Sequence, residues 1–91
     1  MSEEEQLVHN GEAAEVVLQQ PSFNQVINTL VERSFQTFVN SKPEEAEARE
    51  RSYRQYHAIV EIVDTLKQQV SIKDEIVAKG DTRQEGLEDH E

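Results

Sequence analysis

Cysteine is absent from this chain of 91 residues, so neither disulfides nor thiol chemistry contribute to its stability, as is typical of a reducing compartment. The three glycines form no glycine-rich loop of the kind that cradles a phosphate. No apolar run approaches the ~20 residues that a membrane-spanning helix needs. The N-terminus is acidic, whereas secretory signals and transit peptides are basic. These absences predict a soluble protein that is not anchored in a membrane.

Apolar residues are also scarce, at 35% of the chain, and aromatic residues make up only 5%. A single domain of this size has a marginal hydrophobic core, and oligomerisation is a common remedy. The net charge of −10 is distributed unevenly. Residues 1–11 and 80–91 together carry eight acids and one arginine, whereas residues 12–79 carry eleven acids and eight bases. We therefore predict disordered acidic tails at residues 1–11 and 80–91, flanking a domain at residues 12–79.

This charge distribution argues against two functions. A protein that mimics DNA needs acids fixed on a rigid surface, but much of the acidic excess here falls in the predicted tails. Direct binding of nucleic acid needs a basic stripe with interleaved aromatic residues, and the sequence has none. We expect neither activity.

Apolar residues recur at helical spacing along the domain, which predicts an all-α fold. A short first helix covers residues 12–20 and ends before Pro21, which cannot continue it. The second helix covers residues 22–40 and carries a broad apolar face that only Ser34 interrupts. This face includes Phe35 and Phe38, and we predict that it forms the main part of the core. A third helix, residues 43–79, follows a polar turn and ends at Gly80 as a C-cap.

The unequal lengths of the second and third helices shape the predicted architecture, an antiparallel hairpin with one long arm. At 1.5 Å per residue the third helix is about 55 Å long, and the second is only about 28 Å. The far end of the apolar stripe then needs cover from the first helix or from a second subunit in an oligomeric bundle. The predicted interface consists of Val63, Leu66, Val70, Ile76 and Val77 on the long helix, with Val17 and Leu18 on the first.

The start of the third helix carries its own stabilising signals. Ser41 and Glu44 fit a capping box. Each of the arginines at positions 49, 51 and 54 follows a glutamate by four residues, a spacing that favours ion pairs on a helix. We therefore interpret Arg49, Arg51 and Arg54 as solvated ion pairs rather than a phosphate site.

Candidate chemistry is sparse along the whole chain. His57 and Glu61 are one helical turn apart, but a metal site needs further ligands that the domain does not offer. Tyr53 and Tyr56 fit the apolar seam, where tyrosines usually pack in the core with a solvated hydroxyl. The serines lack a suitably placed base. We therefore predict a protein that is not an enzyme and that binds no metal or cofactor.

The chain resembles small helical-hairpin proteins encoded in the genomes of tailed bacteriophages and prophages. The shared pattern is a Pro-x-Phe opening (Pro21, Phe23), a short amphipathic helix, a polar Lys/Pro/Glu turn and a long helix that begins Glu-x-Arg-x-x-x-Tyr (Glu47, Arg49, Tyr53). The resemblance covers over half of the chain. It implies a phage origin and a small non-enzymatic role in the host cytoplasm or the virion.

Two functions are compatible with these features. The first is an α-helical interaction module that binds itself, or a phage or host protein, in virion structure, assembly or packaging. The second is an antagonist of host defence, either an inhibitor of a defence enzyme or a sponge that sequesters a signalling nucleotide. A sponge would use Arg49, Arg51 and Arg54 together with Tyr53 and Tyr56.

Overall fold

The fold is described from a computed structural model, which places the backbone of residues 2–88 and the side chains of residues 2–80. Three helices make up this part of the chain: α1 (Glu3–Leu18), α2 (Pro21–Val39) and α3 (Ala46–Glu88). No strand occurs among the described residues. The all-α prediction is confirmed, whereas the antiparallel hairpin and the oligomeric bundle stay predictions.

The break between α1 and α2 follows from Pro21, which occupies the first turn of α2 and donates no hydrogen bond there. Gln20 precedes it in extended conformation, as the residue before a proline usually does. The side-chain amide of Asn24 donates to the carbonyl oxygens of Leu18 at 2.9 Å and Gln20 at 3.1 Å. The first contact satisfies a backbone acceptor at the end of α1, and the carbonyl oxygen of Gln20 also accepts from the backbone N–H of Asn24 at 3.1 Å.

Helix α1 begins at Glu3, so residues 3–11 are helical and the disordered tail predicted there is wrong. Ser2 accepts a hydrogen bond from the backbone N–H of Glu5 at 3.1 Å, which caps the helix. The acids of the first turn also interact favourably with the helix macrodipole. Met1 lies outside the described residues.

The C-terminal end of the chain is also more helical than predicted. Helix α3 continues through Gly80 to Glu88, so Gly80 is not a C-cap. Its backbone does not adopt the positive φ that a glycine C-cap uses. Residues 89–91, the remainder of the predicted acidic tail, lie outside the described residues.

The turn before α3 lacks the capping box predicted from Ser41 and Glu44. The Ser41 hydroxyl instead donates to the carbonyl oxygen of Phe38 at 2.7 Å, at the end of α2. The Glu45 carboxylate accepts from the backbone N–H of Lys42 at 3.2 Å. The capping carboxylate is thus one residue later than predicted, and α3 begins at Ala46 rather than at residue 43.

The chain divides into two compact units, each with very little buried apolar surface. Unit 1 contains residues 1–17 and 66–91, and unit 2 contains residues 18–65. Among the described side chains the buried hydrophobic residues are Ala14 in unit 1 and Ile59 in unit 2. The thin core predicted from composition is therefore thin in the structure as well.

In unit 1, α1 packs closely against the second half of α3 because Gly11 has no side chain. Gly11 is buried within α1. A Cβ atom built there would overlap the Cβ of Lys73 and lie 2.7 Å from the carbonyl oxygen of Gln69. This glycine was predicted to lie in the disordered tail of residues 1–11. Its actual role is to allow the close approach of two helices, at a cost of about 1 kcal/mol in helix propensity.

The two glycines inside helices provide a matched pair for testing this role. We expect Gly11→Ala to lower the free energy of unfolding by about 1–2 kcal/mol, because overpacking against backbone exceeds the gain in helix propensity. At Gly80 an added Cβ meets no atom of the described residues within 4 Å, so Gly80→Ala should instead raise it by about 0.5–1 kcal/mol. Urea denaturation followed by circular dichroism measures both. A stabilising effect at both positions would show that α1 and α3 do not approach closely at Gly11.

Candidate functional site

The aliphatic residues predicted as an interface, which we call the aliphatic stripe, are partly covered in the structure. The partly buried members are Val17, Leu18, Val63, Leu66, Val70 and Ile76, and Val77 is exposed. In unit 1, α1 of the same chain provides cover for this part of α3. The stripe is therefore only partly available to a second molecule.

An ion pair links α1 to α3 within unit 1. The Lys73 ammonium contacts the Glu15 carboxylate and lies 3.2 Å from a carboxylate oxygen of Asp74. The side chain of Lys73 is only 14% exposed, so its aliphatic stem packs in the seam while its charged end is paired. The hydrogen bond that Lys73 donates to Glu15 raises the pKa of Lys73 above its ordinary value, and Asp74 contributes in the same direction. Lys73 therefore has a structural role in this contact.

The most exposed aromatic surface lies in unit 2, in a groove between α2 and the first half of α3. We call this surface the aromatic groove. Its lining residues are Val31, Glu32, Ser34, Phe35 and Phe38 from α2, with Ser52, Tyr53 and Tyr56 from α3. All four of its aromatic side chains are exposed, and Phe35 and Tyr53 are both 58% exposed.

Two small side chains form the floor of the aromatic groove. Ser34 and Ser52 are buried, at 3% and 6% exposure. The hydroxyl of Ser34 has no hydrogen-bond partner among the described residues, and an unpaired buried polar group costs about 1–3 kcal/mol. Ser34, the single interruption in the apolar face of α2, is thus a buried position between α2 and α3. Because a serine fills little space there, the larger side chains beside it remain at the surface.

The structure corrects the core position predicted for Tyr53 and Tyr56. Ser52 and Ile59, seven residues apart, are the buried positions of this part of α3, and the two tyrosines lie beside them. Both rings contact the His57 ring edge to face, with centroids 4.5 Å and 6.1 Å away. The seven-residue spacing of Ser52 and Ile59 identifies the inward positions of the helix, whereas apolar character alone pointed to the neighbouring tyrosines.

The three arginines that a nucleotide sponge would use, at positions 49, 51 and 54, have separate roles in the structure. The Arg49 guanidinium donates to the carbonyl oxygens of Lys42 at 2.5 Å and Pro43 at 3.3 Å, so it holds the turn before α3. Because Glu45 is hydrogen-bonded to the backbone, the predicted pair of Glu45 and Arg49 is replaced by these contacts.

The other two arginines are exposed. Arg54 pairs with Glu50 at 3.2 Å, as predicted. The Arg51 side chain makes no ion pair with Glu47 among the described residues. With one guanidinium committed to backbone carbonyls and another to a carboxylate, the cluster is not arranged around a shared phosphate.

No metal site or membrane span is found in the described residues. Their histidines, aspartates and glutamates form no group of three or more that could hold a metal ion. None of the helices, over the same residues, combines the length and apolar character needed to cross a bilayer.

The exposed aromatic groove was not predicted from the sequence, because Phe35 and Phe38 were expected to be buried in the core. The signal that could have found it is the pair of serines at seam positions, one on each helix. In comparisons with known proteins, no family model matches the chain, and no curated protein or solved structure matches it.

Proposed function

We propose that this chain is an α-helical protein–protein interaction module and that the aromatic groove is its contact surface. The observation that supports the proposal is the exposure of Phe35, Phe38, Tyr53 and Tyr56 on one groove of a protein with almost no buried core. Contiguous exposed apolar patches of this kind usually mark interaction sites, whereas single exposed apolar residues are common on any surface.

The composition of the groove also supports a protein partner. Tyrosine and phenylalanine are enriched at protein interfaces, where each provides a large apolar area with few rotatable bonds. Burying such a side chain fully stabilises a complex by roughly 1.5–3 kcal/mol. Burial of the four partly exposed rings therefore provides favourable free energy for binding a protein partner.

The biological setting of the module rests on the resemblance to phage-encoded helical hairpins. We assign it to virion structure, assembly or packaging, in the host cytoplasm or the virion. An inhibitor of a defence enzyme would use the same groove and is an alternative outcome of the test below. We do not propose a nucleotide sponge, because Arg49 and Arg54 already have partners within the chain.

The test uses a photoreactive benzoylphenylalanine at position 35, with position 26 as the control. Val26 is exposed to a similar degree, lies on the same helix and does not line the groove. We expect irradiation in a lysate of the source cells to give a discrete covalent adduct with a polypeptide from position 35 only. Absence of any adduct, or equal labelling from both positions, would contradict the proposal.

A further inference from the structure

We infer that the occupant of the aromatic groove is a second copy of this chain, bound about a two-fold axis. This inference rests on the proposed function and specifies its partner. In such a symmetric interface the same patch must supply both the projecting groups and the recess that receives them. The shape, charge and area of the groove each bear on that requirement.

The shape of the groove is self-complementary. Its floor is formed by small residues, Ser34 and Ser52, which leave a recess between the helices. Its walls carry Phe35 and Tyr53, which are more than half exposed and project from the same surface. A two-fold axis at the groove therefore brings the projecting rings of each copy to the recess of the other, as in the packing of knobs into holes.

The charge around the groove permits self-association, although the chain as a whole is strongly acidic. Residues 18–65, which form unit 2, contain seven acids and five bases, whereas residues 1–17 and 66–91 contain twelve acids and four bases. Glu32 lines the groove itself, and both Arg49 and Glu50 line the adjoining surface at Phe38. A border of mixed sign can pair with its own copy, whereas a border of one sign would repel it and select an oppositely charged partner.

The area available predicts a weak dimer. Large aromatic side chains bury about 150–250 Å² each, so four half-exposed rings contribute about 400 Å² per copy. Two copies then bury about 800 Å² from the rings, and neighbours such as Val31 and the exposed Val39 add to it. The total lies at the low end for specific interfaces, about 1,000–1,200 Å², which is typical of dimers that dissociate on dilution.

Other exposed apolar residues do not compete as the dimer surface. Val16, Val26 and Ile62 are each about half exposed, but none of them lines the aromatic groove. Part of the aliphatic stripe of α3 is already covered by α1. The aromatic groove, by contrast, groups four exposed aromatic side chains on one surface.

Sedimentation velocity of the full chain over a hundredfold range of concentration tests the inference, with Phe35→Glu as the variant and Val26→Glu as the control. The two variants change the net charge equally. We expect the wild type and Val26→Glu to shift from monomer to dimer as concentration rises. Phe35→Glu should weaken the dimer by at least about tenfold, because charge at the centre of an apolar interface is left desolvated.

Circular dichroism controls for folding, and all three proteins should show the same helix content. If Phe35→Glu loses helix, Tyr53→Ser replaces it, since that side chain is equally exposed.

The outcomes separate this inference from the proposed function. A wild type that stays monomeric at every concentration, or a Phe35→Glu variant that dimerises as the wild type does, overturns the second copy as occupant. If position 35 is then photo-crosslinked to a different polypeptide, the interaction module stands with another partner. If it is crosslinked to no polypeptide at all, the proposed function fails as well.

Discussion

Ala14→Glu is expected to lower the free energy of unfolding by about 3 kcal/mol or more, because it places an unpaired charge at a buried position. Ala14 is 2% exposed and is the most buried hydrophobic side chain of the described residues. The glutamate would bring a charge into the contact of α1 in unit 1. For a chain of this length, with a total stability of about 5–14 kcal/mol, that loss is a large fraction of the whole.

Ala13→Glu is the matched control, because Ala13 is exposed on the same helix and the exchange is chemically identical. Urea denaturation monitored by circular dichroism should give a clearly lower midpoint for Ala14→Glu and a change within about 0.5 kcal/mol for Ala13→Glu. Equal midpoints for the two variants would mean that α1 does not pack on its own chain. The cover for the aliphatic stripe would then have to come from another molecule.

Ile59→Ala is expected to cost about 2–4 kcal/mol of stability, because it removes the buried aliphatic side chain of unit 2 and leaves a cavity. Ile62→Ala is the control on the same helix, three residues away, where the isoleucine is 52% exposed. The change in helix propensity is the same at both positions, so the difference between the variants reports burial alone. Thermal melting at several protein concentrations measures it.

The concentration series also separates folding from association. Ile59→Ala should lower the melting temperature at every concentration, because Ile59 is buried within a single chain. Ile62→Ala should leave it nearly unchanged. A large loss for Ile62→Ala with little for Ile59→Ala would show that the inward face of α3 is rotated relative to the structure, and the aromatic groove would then be misplaced.

Helix boundaries show where local sequence signals were sufficient and where they were not. Pro21 separates α1 from α2 as predicted, because its missing N–H and fixed φ act without any tertiary contact. Gly11 was predicted to lie in a disordered tail and Gly80 to end a helix, yet both lie inside helices. Glycine lowers helix propensity by only about 1 kcal/mol, which packing or neighbouring helix formers can offset.

The candidate site shows a second limit of sequence reasoning. Helical periodicity correctly identified the apolar faces of α2 and α3, and Phe35, Tyr53 and Tyr56 were assigned to the core on that basis. Two helices in contact bury only the few positions directly between them. Here two of these positions are Ser34 and Ser52, so the adjacent aromatic rings are exposed.

The sequence by itself determined that the chain is helical, that Pro21 divides it and that its hydrophobic core is small, because periodicity, proline geometry and composition act locally or on the whole chain. Only the tertiary structure decided which apolar residues are hidden. That choice depends on how closely and at what rotation the helices approach, which small residues such as Gly11 and Ser34 control through contacts with residues distant in sequence.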